Sequence, residues 1–448
     1  MKRIQVVDWL RGAAILIMLF FHSSYYWGNL PSRDQMNHIL SNPIAGLTLL
    51  IAKAAGIFAV ISGMSNALSM YNRANSGRSK PAHIILGSFF TGLWIILLGK
   101  IQVGIFNHTM IGDLENPYPE GPPQYTLIIG SMQTGELQLP NVFTLVYRTS
   151  ALFIIGLSII CTGLVIGLLC IKEGYKKVNR NLIIMGILAT TIILITQPMK
   201  KLLRPIWYDA YLNNKHVKGA LYSILIGDIY PFFPFVGYAL YGGMFGIAFS
   251  QNISHKKILA IGTSSGFAYI IAGSTLLGIY GNPDINEVNQ TLPNQWSFLQ
   301  IGALILLCTG LYRLHYASEE NKIRKVFQST FVRRFGLVTL TIFVFEPFLG
   351  NSIKILILDK IFPNWSSYGY LAFIYGSFLI LLWYVILKLW EKVKFIGTLE
   401  WLNGKVTSFA TRRDASRLNI MRNLYGDAID AETEFSSFEK VEITKSSD

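Results

Sequence analysis

The sequence predicts an all-α, polytopic integral membrane protein of about ten transmembrane helices with both termini in the cytoplasm. Three observations predict it. Hydrophobic residues make up 52% of the 448 and charged residues only 14%, with a mean hydropathy of +0.41, whereas a soluble domain carries roughly a quarter of its residues as charges. The apolar residues gather into stretches near the ~20 residues needed to cross ~30 Å of hydrocarbon. Lys and Arg fall mainly on alternate connecting segments, 27 on one side against eight on the other and four inside spans, and by the positive-inside rule both ends face the cytoplasm.

The first span is expected at Ala13 to Trp27, after a charged opening from Met1 to Arg11. No small-residue cleavage site follows, because Phe20, Phe21, His22, Tyr25, Tyr26 and Trp27 fill that region, so a retained span is expected and not a cleaved signal peptide. Further spans are expected at Pro43 to Met70, Ile84 to Phe106, Val142 to Ile171, Leu182 to Gln197, Leu221 to Ser250, Ile258 to Tyr280, Trp296 to Tyr316, Phe335 to Gly350 and Tyr368 to Trp390. The outer segment Asn107 to Asn141 is acidic, lacks Lys and Arg, and contains Pro117, Pro119, Pro122 and Pro123, which predicts an irregular ordered loop. Met199 to Gly219 breaks the charge rule with Lys200, Lys201, Arg204, Lys215 and Lys218. Two readings of it stand equal: a face for an anionic acceptor, or a re-entrant or interfacial helix with snorkelling lysines. Residues 1–402 form the expected transmembrane domain, and 403–448 a polar, disordered cytoplasmic tail.

Composition also excludes several classes. The net charge of +14 is accounted for by inner loops meeting anionic lipid, and no nucleic-acid module accompanies it. Cys161, Cys170 and Cys308 lie in apolar runs, so neither a disulfide framework nor a zinc site is expected. The histidines show no metal-ligand spacing, and there is no phosphate-binding loop or nucleophile elbow. No metal is expected.

The residue types that carry chemistry lie in the spans. Arg11 and His22 are eleven residues apart, which on a helix returns them to within about 20° of one face and separates them by ~16 Å along it. An imidazole inside a membrane suits general-base work, and an Arg near the inner surface suits phosphate. The plainer alternative makes Arg11 a helix anchor paired with Asp8 and His22 a partner of a neighbouring helix. In the second span Ser62, Asn66 and Ser69 share a face and, with Gly63, form a small polar surface for a thin ligand or a close-packed backbone. Lys53, Lys100, Arg148, Asp228 and Glu346 fall in the outer halves of their spans, where Arg148 or Lys53 is expected to pair with Asp228 or Glu346. A structural network and an acceptor pocket both fit. Asp228 precedes Pro231 and Pro234, where a broken helix would line a cavity.

Arg11 and His22 at this spacing, followed a span later by Phe58-Ala59-Val60-Ile61-Ser62-Gly63, resemble the signature of the membrane-bound acyltransferase superfamily. The Arg-x10-His spacing is that of the acyltransferase-3 family. Arg11 to Met18, Ile61 to Ser65, the Tyr230 to Gly237 stretch, Arg334 to Thr341 and Gly397 to Leu402 are closer to the heparan-α-glucosaminide N-acetyltransferase and YeiB-like branch. In the heparan acetyltransferase the position of His22 is Asn, and the histidine assigned to catalysis lies in the following loop, where this chain has His38. His22 matches the acyltransferase-3 spacing without a gap and is the first candidate; His38 is the second.

The resemblance implies an enzyme that takes acyl-CoA, acetyl-CoA foremost, from the cytoplasm with its phosphates near Arg11 and its thioester toward Ser62, Asn66 and His22. The acceptor would be an amino or hydroxyl group of a glycan or lipid-linked sugar, entering from outside past Arg148, Asp228 and Glu346. His22 would act as base, or carry the acyl group transiently. The partners implied are the bilayer of the cell membrane and the glycan, with a homo-oligomer left open. The rival from another class is a secondary transporter or flippase, for which no inverted repeat is visible. The topology has a direct test. In a cysteine-free variant, single cysteines at Glu120 and Lys176 should label from opposite sides of a sealed membrane, and same-side labelling would remove the ten-span arrangement.

Overall fold

The computed structural model describes residues 5–23, 55–107, 126–227, 230–281, 294–315, 326–363, 365, 369–411 and 424. Among them the ordered elements are helical and none is a strand. Among the described residues, eight helices are long and apolar enough to cross a membrane, or up to nine if the bent pair Val178–Leu194 and Thr196–Leu212 counts as one span. An apolar bilayer leaves a chain little else, because each backbone N–H and C=O must be satisfied within its own segment.

The helices are numbered here in chain order. α1 is Gln5–His22, α2 Ala55–Asn75 and α3 Pro81–Ile101, which continues as a π turn over Gln102–Phe106. The short α4 (Leu127–Thr134) precedes a second π turn, Phe143–Tyr147, and α5 (Ala151–Leu169). Next come α6 (Val178–Leu194), α7 (Thr196–Leu212), α8 (His216–Ile226), α9 (Phe232–Ser250), α10 (His255–Tyr280) and α11 (Asn294–His315). The chain closes with α12 (Thr330–Leu337), α13 (Thr339–Ile353), α14 (Gly369–Lys392) and α15 (Leu399–Thr411).

α9 is the hub. Its spanning window is 89% buried, against 17% for α10 at the periphery. Close approach makes this possible: a Cβ on Gly63 would overlap the Ala239 carbonyl, and one on Gly242 would overlap that of Val60, so α2 and α9 meet backbone to backbone. The same device joins α1 to α12, where Gly12 faces the Val332 carbonyl and Gly336 that of Asp8. Along the rest of α1, Ile15, Met18 and Leu19 pack with Ile342 of α13 and with Trp383 and Leu387 of α14.

Several expected boundaries move. α1 begins at Gln5, eight residues before the expected Ala13, because Val6, Val7 and Leu10 continue the buried face past the charges of Asp8 and Arg11. The expected span Leu221 to Ser250 is two helices, α8 and α9, separated at Gly227 to Pro231. The span expected from Phe335 begins at Thr339 and runs to Ile361. Val338, at φ −126° and ψ 37°, breaks the helix there, and Arg334 and Phe335 belong to α12. Within the expected irregular loop Asn107 to Asn141, α4 is a regular helix capped by Gly135 at φ 76°, and 108–125 lie outside the described residues. The first part of the span expected at Pro43 to Met70 also lies outside them. α15 runs across the expected domain boundary at residue 403, and of the tail beyond it only Leu424 is described, buried, with its carbonyl accepting from Arg333 Nη1 at 2.9 Å.

The basic segment Met199 to Gly219 is helical. α7 and α8 form a hairpin that packs Trp207 and Ile226 against Tyr147 and Phe233. Lys201, Arg204, Lys215 and Lys218 stay exposed beside Leu202, Tyr208 and Leu212, a mixture suited to an interface between lipid and water.

Contact between backbones leaves no room for a side chain. Gly63→Val and Gly242→Val should each lower the unfolding temperature of the detergent-solubilised protein by several degrees. Gly278→Val, where a Cβ meets open space, should leave it nearly unchanged. Equal behaviour of the three variants would remove α9 as the packing hub.

Candidate active site

A carboxylate on an apolar helix anchors the site. Glu346 lies in the TLTIFVFEPFLGNSI segment of α13 and is 1% exposed. Burying a carboxylate without a partner is costly enough that it would take up a proton instead. Its Oε2 lies 3.1 Å from Nδ1 of His22, at the end of α1, while the His22 side chain keeps 29% of its surface accessible. A hidden carboxylate therefore holds one nitrogen of a reachable imidazole. With Nδ1–H donated to Glu346, Nε2 carries the lone pair and points its basicity elsewhere.

The helix around Glu346 is pinned at several points. Pro347 has no N–H, so the carbonyl four residues back, that of Phe343, loses its helical donor. Gln102, 4% exposed at the start of the π turn after α3, donates its Nε2–H to that oxygen at 3.0 Å. Asn351 Nδ2 donates to the Pro347 carbonyl at 2.7 Å, and the Tyr375 hydroxyl of α14 to that of Gly350 at 2.6 Å. At the start of α13, Oε1 of Glu400 accepts from the Leu340 amide and, at 3.3 Å, from that of Thr341, while Oε2 accepts from the Thr341 hydroxyl at 2.6 Å. An anionic side chain there satisfies N–H groups that the helix itself cannot. Burial holds the Glu400 carboxyl above the usual carboxylate range, against the hydrogen bond from Thr341, which works in the opposite direction.

Two residues before Gln102, Lys100 Nζ donates to the carbonyls of Arg148 at 2.9 Å and Val146 at 3.4 Å. The buried Arg148 is thereby tied to the stretch of α3 that braces α13, at the same end of the bundle as Glu346. α13 packs on α1, and there the His22 imidazole meets Glu346. Lys53, Asp228 and His38 lie outside the described residues.

Asn66 Nδ2 donates to the Ser62 carbonyl at 2.8 Å and to its hydroxyl at 3.2 Å. These two lie one and two turns along α2 from Phe58, whose ring meets that of Phe343 at 6.1 Å. The neighbouring Gly63 contact with α9 gives part of this face a packing role. Arg11 is half-buried beside the α1–α12 contact, and α12 brings Arg333 and Arg334 to the same end. Arg334 is a core residue and not part of a solvated loop: it is 1% exposed, paired with Glu391 at 3.0 Å and set over the Tyr384 ring at 5.6 Å. Gln102 and Tyr375 carried no sequence signal of their own; the Glu-Pro step inside an apolar run is what could have pointed to them. Among the described residues no three His, Cys, Asp or Glu side chains converge as a metal site would need.

Residues 3–110 match the family model described as heparan-alpha-glucosaminide N-acetyltransferase, catalytic. That match covers α1, α2, α3 and the π turn with Gln102, and it supports the resemblance to the heparan-α-glucosaminide N-acetyltransferase branch. It does not bear on the Arg-x10-His pattern of the acyltransferase-3 family. No curated protein is matched by the chain.

The His22–Glu346 contact predicts a chemical signature that needs no substrate. In Glu346→Gln, the rate and pH dependence of His22 carbethoxylation by diethyl pyrocarbonate, read by mass spectrometry, should change. A profile superimposable on that of the parent would contradict the pairing.

Proposed function

We propose that the protein is a transmembrane acyltransferase. It moves an acetyl group from acetyl-CoA on the Arg11 side of the bundle to an amino or hydroxyl group of a glycan or lipid-linked sugar on the other. The observation that carries this reading is the imidazole held by a buried carboxylate, on a helix within the stretch that matches an acetyltransferase catalytic family.

In this mechanism Glu346 accepts the Nδ1–H of His22 and fixes the tautomer. Nε2 removes the proton from the acceptor as its nitrogen or oxygen attacks the thioester carbonyl. The new C–N or C–O bond forms, the C–S bond breaks, and the proton held on Nε2 returns to the CoA sulfur. Glu346 stabilises the imidazolium between those events. Its place is thus reassigned from acceptor contact to orientation of the base, and Arg148, buried at the same end, takes the acceptor-facing role together with Asp228. Arg11 meets the CoA phosphates, about 16 Å along α1 from His22, a distance bridged by the pantetheine arm. Ser62 and Asn66 lie along that arm. The protein works in the cell membrane, and no metal takes part in this scheme.

Acetyl-CoA should raise the unfolding temperature of the purified protein, and Arg11→Ala should weaken that response more than it lowers the basal value. No response to CoA or acetyl-CoA would favour a transporter or flippase instead. With glucosamine as the probe acceptor and thiol release as the readout, His22→Ala should lower transfer by about 10²–10⁴-fold, the range for loss of a positioned base. Substantial activity in His22→Asn with loss in His38→Ala would move the base to His38.

A further inference from the structure

Gln102 stands outside the proton-transfer scheme, yet it is a buried amide committed to one main-chain oxygen that proline chemistry has left without a donor. Any residue but proline at 347 would donate its N–H to the Phe343 carbonyl and close that turn of α13. In this chain the turn is closed from another helix, by the 3.0 Å bond from Gln102 Nε2. The bond falls three residues before Glu346, on the same turn that carries the carboxylate. Its other end is the first residue of the π turn Gln102–Phe106, and π turns re-aim side chains out of the α-helical register. Further along α13, Asn351 and Tyr375 add side-chain bonds to the Pro347 and Gly350 carbonyls. Gln102 is the closure that comes from α3, the helix that also holds the main chain of Arg148 through Lys100.

We propose that Gln102 is a positioning residue: by replacing the hydrogen bond that Pro347 removes, it sets where the Glu346 carboxylate stands against His22. The inference rests on the reading of His22 and Glu346 as the base pair of the enzyme. Gln102 touches neither the acceptor nor the thioester in this account. It acts on rate through geometry, where a misplacement of about 1 Å can cost 10²-fold. It also couples acceptor-side Arg148 to the base, because one short stretch of α3 braces both.

The proposal has an internal rescue. Pro347→Ala restores a backbone N–H at 347 and makes the Gln102 bond redundant. Gln102→Leu should lower kcat for acetyl transfer to glucosamine about tenfold to hundredfold, with KM for acetyl-CoA unchanged, and should alter the pH dependence of His22 carbethoxylation. Adding Gln102→Leu to Pro347→Ala should change kcat by less than about threefold and leave carbethoxylation as in Pro347→Ala alone. Should Gln102→Leu not accumulate, the pair Pro347→Ala and Pro347→Ala/Gln102→Leu still decides. A further large loss in the double variant overturns the proposal, as does an unchanged kcat or an unaltered His22 profile in Gln102→Leu. If no variant transfers acetyl groups but the carbethoxylation shift and its rescue both appear, Gln102 positions the pair and the acyltransferase reading falls.

Discussion

A buried carboxylate in an apolar helix constrains everything around it. Glu346, 1% exposed, is acceptable as an anion only beside a proton donor and on a backbone that cannot drift. His22 meets the first need. Gln102 and Glu400 meet the second by occupying main-chain groups of α13 that proline and the helix start leave open, and Asn351 and Tyr375 add side-chain bonds to two of its carbonyls. These braces come from α3, α13 itself, α14 and α15, so the last third of the chain is needed to hold a residue whose partner lies in the first span.

That arrangement divides the bundle into two ends. At the Arg11 end, α1 lies against α12 through paired glycines, and Arg334 is sunk into an ion pair with Glu391. A buried ion pair of this kind contributes little net stability, but removing one partner would leave the other charge uncompensated. At the His22 end lie Glu346, Gln102 and the main chain of Arg148, gathered by Lys100 at the end of α3 and Gln102 at the start of its π turn. In the proposed transfer, the Arg11 end would take the donor and the His22 end the acceptor.

Most of the spans were legible in the sequence, eight or nine among the described residues against about ten expected, because hydrocarbon thickness fixes their length and the lack of water fixes their secondary structure. Their ends were less so. α1 starts earlier than hydropathy suggests because Asp8 is buried against α12, a tertiary contact that overrides the local charge. His22 could be singled out from helix geometry and resemblance, and Glu346 from its cost in a membrane. Their pairing could not, since 324 residues separate them and no local pattern records which charge meets which. Gln102 was invisible for a further reason: its partner is a backbone oxygen, and only the proline four residues beyond that oxygen betrays the vacancy.

The central claim is that His22 and Glu346 act as one unit in acyl transfer. A double-mutant cycle over His22→Ala, Glu346→Gln and the combined variant, read as kcat/KM for acetyl-CoA with glucosamine as acceptor, tests it most directly. The account predicts that the combined variant is no slower than His22→Ala alone, because the carboxylate has no task once the imidazole is gone. Losses that multiply would show two independent contributions and contradict it.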